Sequence, residues 1–280
     1  MQRGSTLESL PTSIDAQRDA VEAATTTLGR IILGKDEQIR LALTCLLARG
    51  HLLIEDLPGL GKTMLAQSLA KILGLSFRRI QFTSDLLPAD IVGVSVFRQD
   101  SGEFEFQPGP VFSQLILADE VNRATPKAQS ALLESMEEYQ VSIDGSTRPL
   151  PSPFFVVATQ NPGDQIGTFP LPESQLDRFL MRLAMGYPNE ASEREIIAGE
   201  DRRQLLTDLD AVTVPETLLA LQKTARAQHV SGALIDYVQA LVRFTRESPE
   251  IEVGLSPRGA QSLVAAAKAR SFIENHNGVF

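Results

Sequence analysis

A single cysteine, Cys45, is all the thiol that these 280 residues carry, which excludes an intramolecular disulfide and a cysteine-built metal cage and points to a reducing compartment. Histidine is nearly as scarce. His51, His229 and His276 stand far apart without ligand spacing, so a metal centre built on His or Cys is not expected. Long apolar runs are missing as well: the best candidate, Leu41 to Leu47, is interrupted by Thr44 and Cys45, well short of the ~18 residues of a membrane span. The opening Met1-Gln2-Arg3-Gly4-Ser5 lacks the apolar centre of a signal peptide, and these absences together predict a soluble, cytoplasmic protein. Basic residues are outnumbered, 26 against 35 acidic, for a net charge of −9 and a pI near 5.0. That balance disfavours a whole-surface attraction to nucleic acid or to an anionic membrane and leaves only local basic patches.

The length allows one large domain or two unequal ones, at roughly 100–200 residues each, with ample room for a buried core. Residues 1–14 are polar, with a break at Pro11-Thr12-Ser13. A leader helix opens at Asp15, carries Val21, Ala24 and Leu28 on one side and is expected to close at Gly29; Asp36 is expected to cap a second helix through Ile39, Leu43 and Leu46 that ends at Gly50. Beyond it, apolar runs of strand length alternate with helical stretches. The runs are His51–Glu55, Phe77–Phe82, Leu115–Ala118, Phe154–Thr159 and Phe179–Leu183, and the clearest helices are Thr63–Leu73 and Pro126–Glu138. This alternation predicts an α/β fold, a parallel sheet with helices on both faces. Two further segments read as hairpins added to it, Val94–Phe106 turning at Asp100-Ser101-Gly102 and Val141–Leu150 turning at Asp144-Gly145. After Tyr187-Pro188 the strand signals stop, and Asn189 with Glu190 and Glu193 opens a run of helices. The expected boundary separates residues 1–187 from a helical unit at 188–280.

Asp56-Leu57-Pro58-Gly59-Leu60-Gly61-Lys62-Thr63 follows a strand and opens a helix, the setting that a phosphate-binding loop requires. Gly59 and Gly61 let backbone N–H groups close around phosphate oxygens, Lys62 reaches the terminal phosphates and Thr63 ligates Mg²⁺. Pro58, Leu60 and Met64 complete the cradle. Asp56 stands where the motif usually has glycine, and it is expected to tolerate the left-handed turn there. A glycine-rich turn that merely leads into a helix would give no reason for the Gly-Lys-Thr run.

Downstream, Leu115–Ala118 ends in Asp119-Glu120. A strand ending in two adjacent carboxylates suits a pair with different tasks, Asp119 holding the Mg²⁺ shell and Glu120 polarising an attacking water. The competing reading, a solvated strand end, loses ground once a phosphate loop lies upstream. Phe155–Asn161 is a third apolar strand with a polar end, suited to orienting water or the γ-phosphate. Arg178 and Arg258, read by themselves, fit ordinary surface arginines as well as cations for the charge that develops in phosphoryl transfer.

This order, phosphate loop, Asp119-Glu120, Asn161, Arg178 and Arg258, resembles the AAA+ ATPase layout, and several phrases resemble its MoxR family. They are Phe82–Pro88, Gly102–Pro110, Asp119–Lys127, Ala158–Pro162 and Leu171–Phe179, within a likeness that runs over about residues 15 to 275. The resemblance implies a P-loop core with a five-stranded parallel sheet of order 5-1-4-3-2, a C-terminal all-helical lid, and a hexameric ring with ATP and Mg²⁺ at the subunit interfaces. Asn161 would be sensor 1, Arg178 an arginine finger delivered to a neighbour and Arg258 the lid's sensor 2. Ile32 and Gly34 fall where related ATPases touch adenine. The hairpins would be the inserts that face the pore and contact substrate. MoxR proteins resemble chaperones that remodel or activate client enzymes, often with a von Willebrand A domain partner, and some promote metal or cofactor insertion. Family members generally continue beyond Asn277-Gly278-Val279-Phe280 with another lid helix, so a shortened lid is expected. A Mg²⁺-dependent ATPase acting on protein clients is the leading reading; a nucleotide-gated scaffold with negligible turnover is the alternative, and a DNA-acting motor is disfavoured by the acidic balance.

Overall fold

The computed structural model describes residues 13–161, 167–199 and 202–280, with the backbone alone for Arg202 and Arg203. Pro162 and the polar opening through Thr12, Met1–Ser5 and Pro11 included, lie outside the described residues. In chain order the elements are α1 (Ile14–Ile31), α2 (Asp36–Leu47), β1 (Leu52–Glu55), α3 (Lys62–Ile72), β2 (Phe77–Gln81), α4 (Pro88–Val92), β3 (Gly93–Arg98) and β4 (Glu103–Pro108). There follow β5 (Leu115–Asp119), α5 (Pro126–Glu138), β6 (Gln140–Ile143), β7 (Ser146–Pro149), β8 (Phe155–Gln160), α6 (Glu173–Leu176) and β9 (Met181–Leu183). The helical remainder comprises α7 (Glu190–Ala198), α8 (Arg202–Thr207), α9 (Pro215–Arg226), α10 (Gly232–Glu247) and α11 (Pro257–Ile273).

Five strands form one sheet in the order β2-β5-β8-β1-β9, with every neighbouring pair parallel. Counting only these five strands along the chain, the order is 5-1-4-3-2, as the resemblance implies. Period-two alternation explains how the sheet is buried on both sides. Leu52, Ile54, Leu115, Leu117, Phe155 and Val157 join one apolar cluster, whereas Leu53, Ile116, Ala118, Val156 and Ala158 join the other. The first cluster is roofed by α1, α2 and α3 and also takes Leu218, Leu221, Ala269 and Phe272 from α9 and α11, so the late helices share the core of the sheet. The second is roofed by α5 through Ala128, Leu132 and Met136. Both expected hairpins are separate antiparallel pairs, β3 with β4 and β6 with β7.

Several expected boundaries move, each for a local reason. Helix α1 does not close at Gly29 but runs two residues further to Ile31, which seats Ile31 in the core beside Leu28. Asp36 is the first helical residue of α2 rather than its cap. Lys35 holds the cap position without a capping bond, since an ammonium has no acceptor to offer a backbone N–H; its Nζ instead donates to the carbonyls of Gly186 and Tyr187, 2.9 and 2.7 Å away. Helix α2 ends at Leu47, before Gly50: Arg49 turns left-handed and the Gly50 N–H closes on the carbonyl of Cys45 at 2.9 Å. Strand β1 begins at Leu52 instead of His51, and β9 at Met181 instead of Phe179.

Candidate active site

In a parallel sheet all strands finish at one edge, so loops after β1, β5 and β8 meet there. The loop after β1 is residues 56–61. Gly59 and Gly61 have φ of +85° and +87°, and a Cβ built on either would find nothing within 4 Å, so the backbone encloses open space. Asp56 is absent from the left-handed residues, which corrects the expectation for it. It substitutes for glycine by side-chain bonding: its Oδ1 accepts from the Leu57 N–H at 2.8 Å and its Oδ2 from the Gly186 N–H at 2.6 Å. Burial by itself raises the Asp56 pKa, but the bonds from Gly186, Leu57 and Met185 and the charge of Lys62 hold it below the usual range. The segment 185–187 is thereby fastened to the loop on one side and to Lys35 on the other.

Lys62 opens α3 and is only 8% exposed. Its ammonium donates to the Asp56 carbonyl and, at 3.1 Å, to Oδ1 of Asn161. Burial draws its pKa below that of an ordinary lysine, opposed by Asp119, Asp56 and Glu120. Thr63 follows in the first turn of the helix.

Asp119 ends β5, and Glu120 leaves it with a left-handed φ of 57°. Thr159 on β8 fixes both acids: its hydroxyl donates to Asp119 Oδ1 at 2.6 Å and accepts the Glu120 N–H at 2.9 Å. Asn161 donates to Glu120 Oε1 at 3.2 Å, so one amide spans the phosphate-loop lysine and the candidate base. Three residues that the sequence reading missed complete this edge. Arg79 donates to Asp119 Oδ2 from Nε at 3.0 Å, Gln81 reaches Glu120 Oε2 at 3.1 Å, and Arg123 pairs with the same oxygen at 2.8 Å. Arg79 and Gln81 are two apart on β2 and share a face, a signal that acquires meaning only once β2 is known to lie beside β5.

Gly34 sits under α7: a Cβ there would lie 2.5 Å from Ser192 Oγ, and the Asn189 cap of α7 is 3.5 Å away. Ile32 is buried in the first apolar cluster, and both adjoin Lys35 and hence the 185–187 segment.

Arg178 and Arg258 are elsewhere. Arg178 precedes β9, and the Leu180 N–H bonds to the carbonyl of His51, which precedes β1, so Arg178 lies at the edge where strands begin. Four residues of β1 at about 3.3 Å each place that edge roughly 13 Å from the glycine-rich loop. Arg258, in the first turn of α11, comes to the same place. Both guanidiniums pair with Glu137 at the end of α5, Arg178 Nη2 at 3.1 Å from Oε2 and Arg258 Nη2 on Oε1. The structure therefore assembles Lys62, Asp119, Glu120 and Asn161 at one edge and the two arginines at the opposite one.

The donor set at the first edge fits a nucleotide and a hard divalent cation: an open glycine cradle at a helix N-terminus, a buried ammonium, a threonine hydroxyl and a carboxylate. Comparison with known proteins agrees. The profile of the ATPase family associated with various cellular activities (AAA) matches residues 51–181. Chaperone MoxR1 of Mycobacterium tuberculosis is 42% identical over 275 residues, 94% of this chain and 72% of its own length. Protein MoxR of Paracoccus denitrificans is 33% identical over 286 residues, 94% of this chain and 83% of its own. A crystal structure from Cytophaga hutchinsonii, provisionally described as that of an ATPase, superposes with a TM-score of 0.85 at 39% identity, covering 95% of this chain and 84% of that one.

Proposed function

The chain belongs to the MoxR family of AAA+ ATPases, and on that premise we propose that its two edges are halves of one reaction centre shared between neighbouring copies. ATP hydrolysis and binding of ATP with Mg²⁺ come with the family, and a chaperone-like role is its general character. The assembly is a hexameric ring in which each ATP is held by one subunit and completed by the next.

Residues Pro58, Gly59, Leu60, Gly61, Lys62, Thr63 and Met64 hold the phosphates, and Ile32 and Gly34 line the adenine end. Thr63 and Asp119 hold Mg²⁺, which when bound neutralises charge on the phosphate oxygens. Glu120 takes the proton of the attacking water, Asn161 keeps Glu120 and Lys62 aligned, and Arg178 and Arg258 stabilise charge on a neighbour's ATP. The observation that carries this reading is the position of the arginines: a side chain at the beginning of β9 cannot reach phosphates that lie beyond the end of β1 in its own chain.

Residues 1–187 are read as the nucleotide-binding unit and 188–280 as its lid. Turnover drives movement applied to a protein client through the two hairpins, and on the β3–β4 hairpin the paired Phe97 and Phe104 are 51% and 73% exposed with ring centroids 5.3 Å apart. A von Willebrand A domain partner and metal or cofactor insertion into the client belong to the same reading. So does action in the cytoplasm, and among the described residues no helix is long and apolar enough to cross a membrane.

The test is ATP turnover per subunit across a wide range of protein concentration, with assembly followed by light scattering on the same samples. A specific rate that rises with assembly is expected. Turnover that is independent of assembly removes the shared site, and binding with negligible turnover in assembled samples leaves a nucleotide-gated scaffold.

A further inference from the structure

Arg178 and Arg258 share one carboxylate, and that carboxylate stands where a helix by itself disfavours it. Glu137 lies in the last turn of α5, beside Glu138 and with no basic residue in that turn. A carboxylate there opposes the helix dipole, an unfavourable position unless a cation answers it. Here the cations come from two separate parts of the chain, one 41 residues downstream and the other 121. Their meeting is itself secured. Asp177, next to Arg178, accepts the Ser256 hydroxyl at 2.9 and 3.1 Å, and Ser256 caps α11 by accepting the Gly259 N–H at 2.9 Å. The first turn of α11 is thus docked on the loop that carries Arg178. The two arginines and Glu137 line a cleft of about 360 Å³ together with Arg49 and His51. Each guanidinium spends Nη2 on Glu137 and keeps further N–H groups, and the triad retains one net positive charge.

We infer that Glu137 is the positioning residue of the arginine pair: it binds Arg178 from the loop before β9 and Arg258 from α11 side by side, so that both meet a neighbouring subunit's phosphates together. The inference rests on the shared-site reading above and adds a residue that neither the motif nor the family layout marks. A carboxylate gripped by two arginines fixes the separation of their guanidiniums, and what would be two independently disordered side chains becomes one pre-arranged anion receptor.

The experiment uses the full chain with Glu137→Gln, Glu137→Asp, Arg178→Ala, Arg258→Ala, Lys62→Ala, the double arginine variant and that double variant carrying Glu137→Gln. Three quantities are read: kcat and KM for ATP, association driven by a non-hydrolysable ATP analogue in sedimentation velocity, and the melting temperature as a control of folding. Glu137→Gln is expected to lower kcat on the order of tenfold with KM nearly unchanged, and to weaken analogue-driven association. Glu137→Asp, one methylene shorter, falls between the parent and Glu137→Gln. In the double arginine variant Glu137→Gln has no further effect on association. Parental kcat and association in Glu137→Gln, with both arginine variants impaired, overturns the role of Glu137 alone. A loss of association that persists undiminished in the double arginine background overturns it too, because Glu137 then acts without the arginines. If both arginine variants turn over at the parental rate while Lys62→Ala is inactive, it is the shared-site reading that fails.

Discussion

Asn161 donates its amide N–H to Oε1 of Glu120 across 3.2 Å, and the oxygen of the same amide receives the ammonium of Lys62. The candidate base is therefore held by the residue that follows β8, the strand beside the one it leaves, and is tied through the same amide to Lys62, which follows the glycine-rich loop. Glu120→Gln keeps the shape of this contact but cannot take up a proton. Its ATP affinity is expected to stay within a few-fold of the parent while turnover falls about 10²–10⁴-fold, measured by equilibrium titration and steady-state hydrolysis. Near-parental turnover removes Glu120 from its role.

Arg178→Ala is expected to bind ATP and to lose about 10³–10⁵ in rate, the usual worth of an arginine finger. Mixed with Lys62→Ala it regains activity, since each variant supplies the half of the site that the other lacks. Mixed assemblies, verified by crosslinking of tagged subunits, that stay inactive speak against sites shared between subunits.

Asp56→Gly restores the usual first residue of the phosphate loop and is nevertheless expected to weaken ATP binding. Glycine cannot make the bonds to Leu57 and Gly186, and a hydrogen bond to a charged group contributes about 1.5–3 kcal/mol. A Kd for ATP raised about tenfold or more in titration is the expected outcome; an unchanged or tighter Kd shows that the tie between loop and segment 185–187 is idle.

His51 makes stability depend on pH. Its Nδ1 accepts the Val156 N–H at 3.0 Å, so its Nε2 carries the proton and donates to the Met136 carbonyl. Burial drives its pKa down to about 4 against the pull of that carbonyl, whereas in the unfolded chain it titrates near 6.5. Between those values the unfolded chain binds a proton that the folded chain refuses. The contribution is present above pH ~6.5 and is lost as pH falls towards 4, about 3 kcal/mol in all. Unfolding midpoints of the parent and of His51→Gln, followed from pH 7.5 to 4.5, are expected to converge on acidification. Parallel curves exclude His51 as the source.

Much of the site was legible because it is written in contiguous residues. A glycine-rich turn between an apolar strand and a helix, and an apolar strand ending in two acids, are local patterns whose chemistry follows from residue type and spacing. The continuous apolar runs Leu52–Ile54, Leu115–Ala118 and Phe155–Ala158, each of strand length, likewise pointed to strands buried on both faces, and the sheet has them so. Boundaries shifted where a distant residue intervened, as at Gly50, where Leu180 occupies the space that a Cβ would need.

The sequence by itself thus determined which strands are buried, where the glycine-rich loop between β1 and α3 lies and which two acids stand at the end of β5. Only the tertiary structure decided what those groups face. Lys62 and Asn161 are 99 residues apart and Glu137 and Arg258 are 121 apart, pairings set by strand order and by the docking of α11, neither of which any local window contains. Arg79 and Gln81 gain their partners because β2 is laid against β5, and Arg178 is separated from its own phosphate loop because parallel strands begin at one edge and end at the other. A side chain's type is local, but its partner is chosen by the direction and neighbour of the strand or helix that carries it.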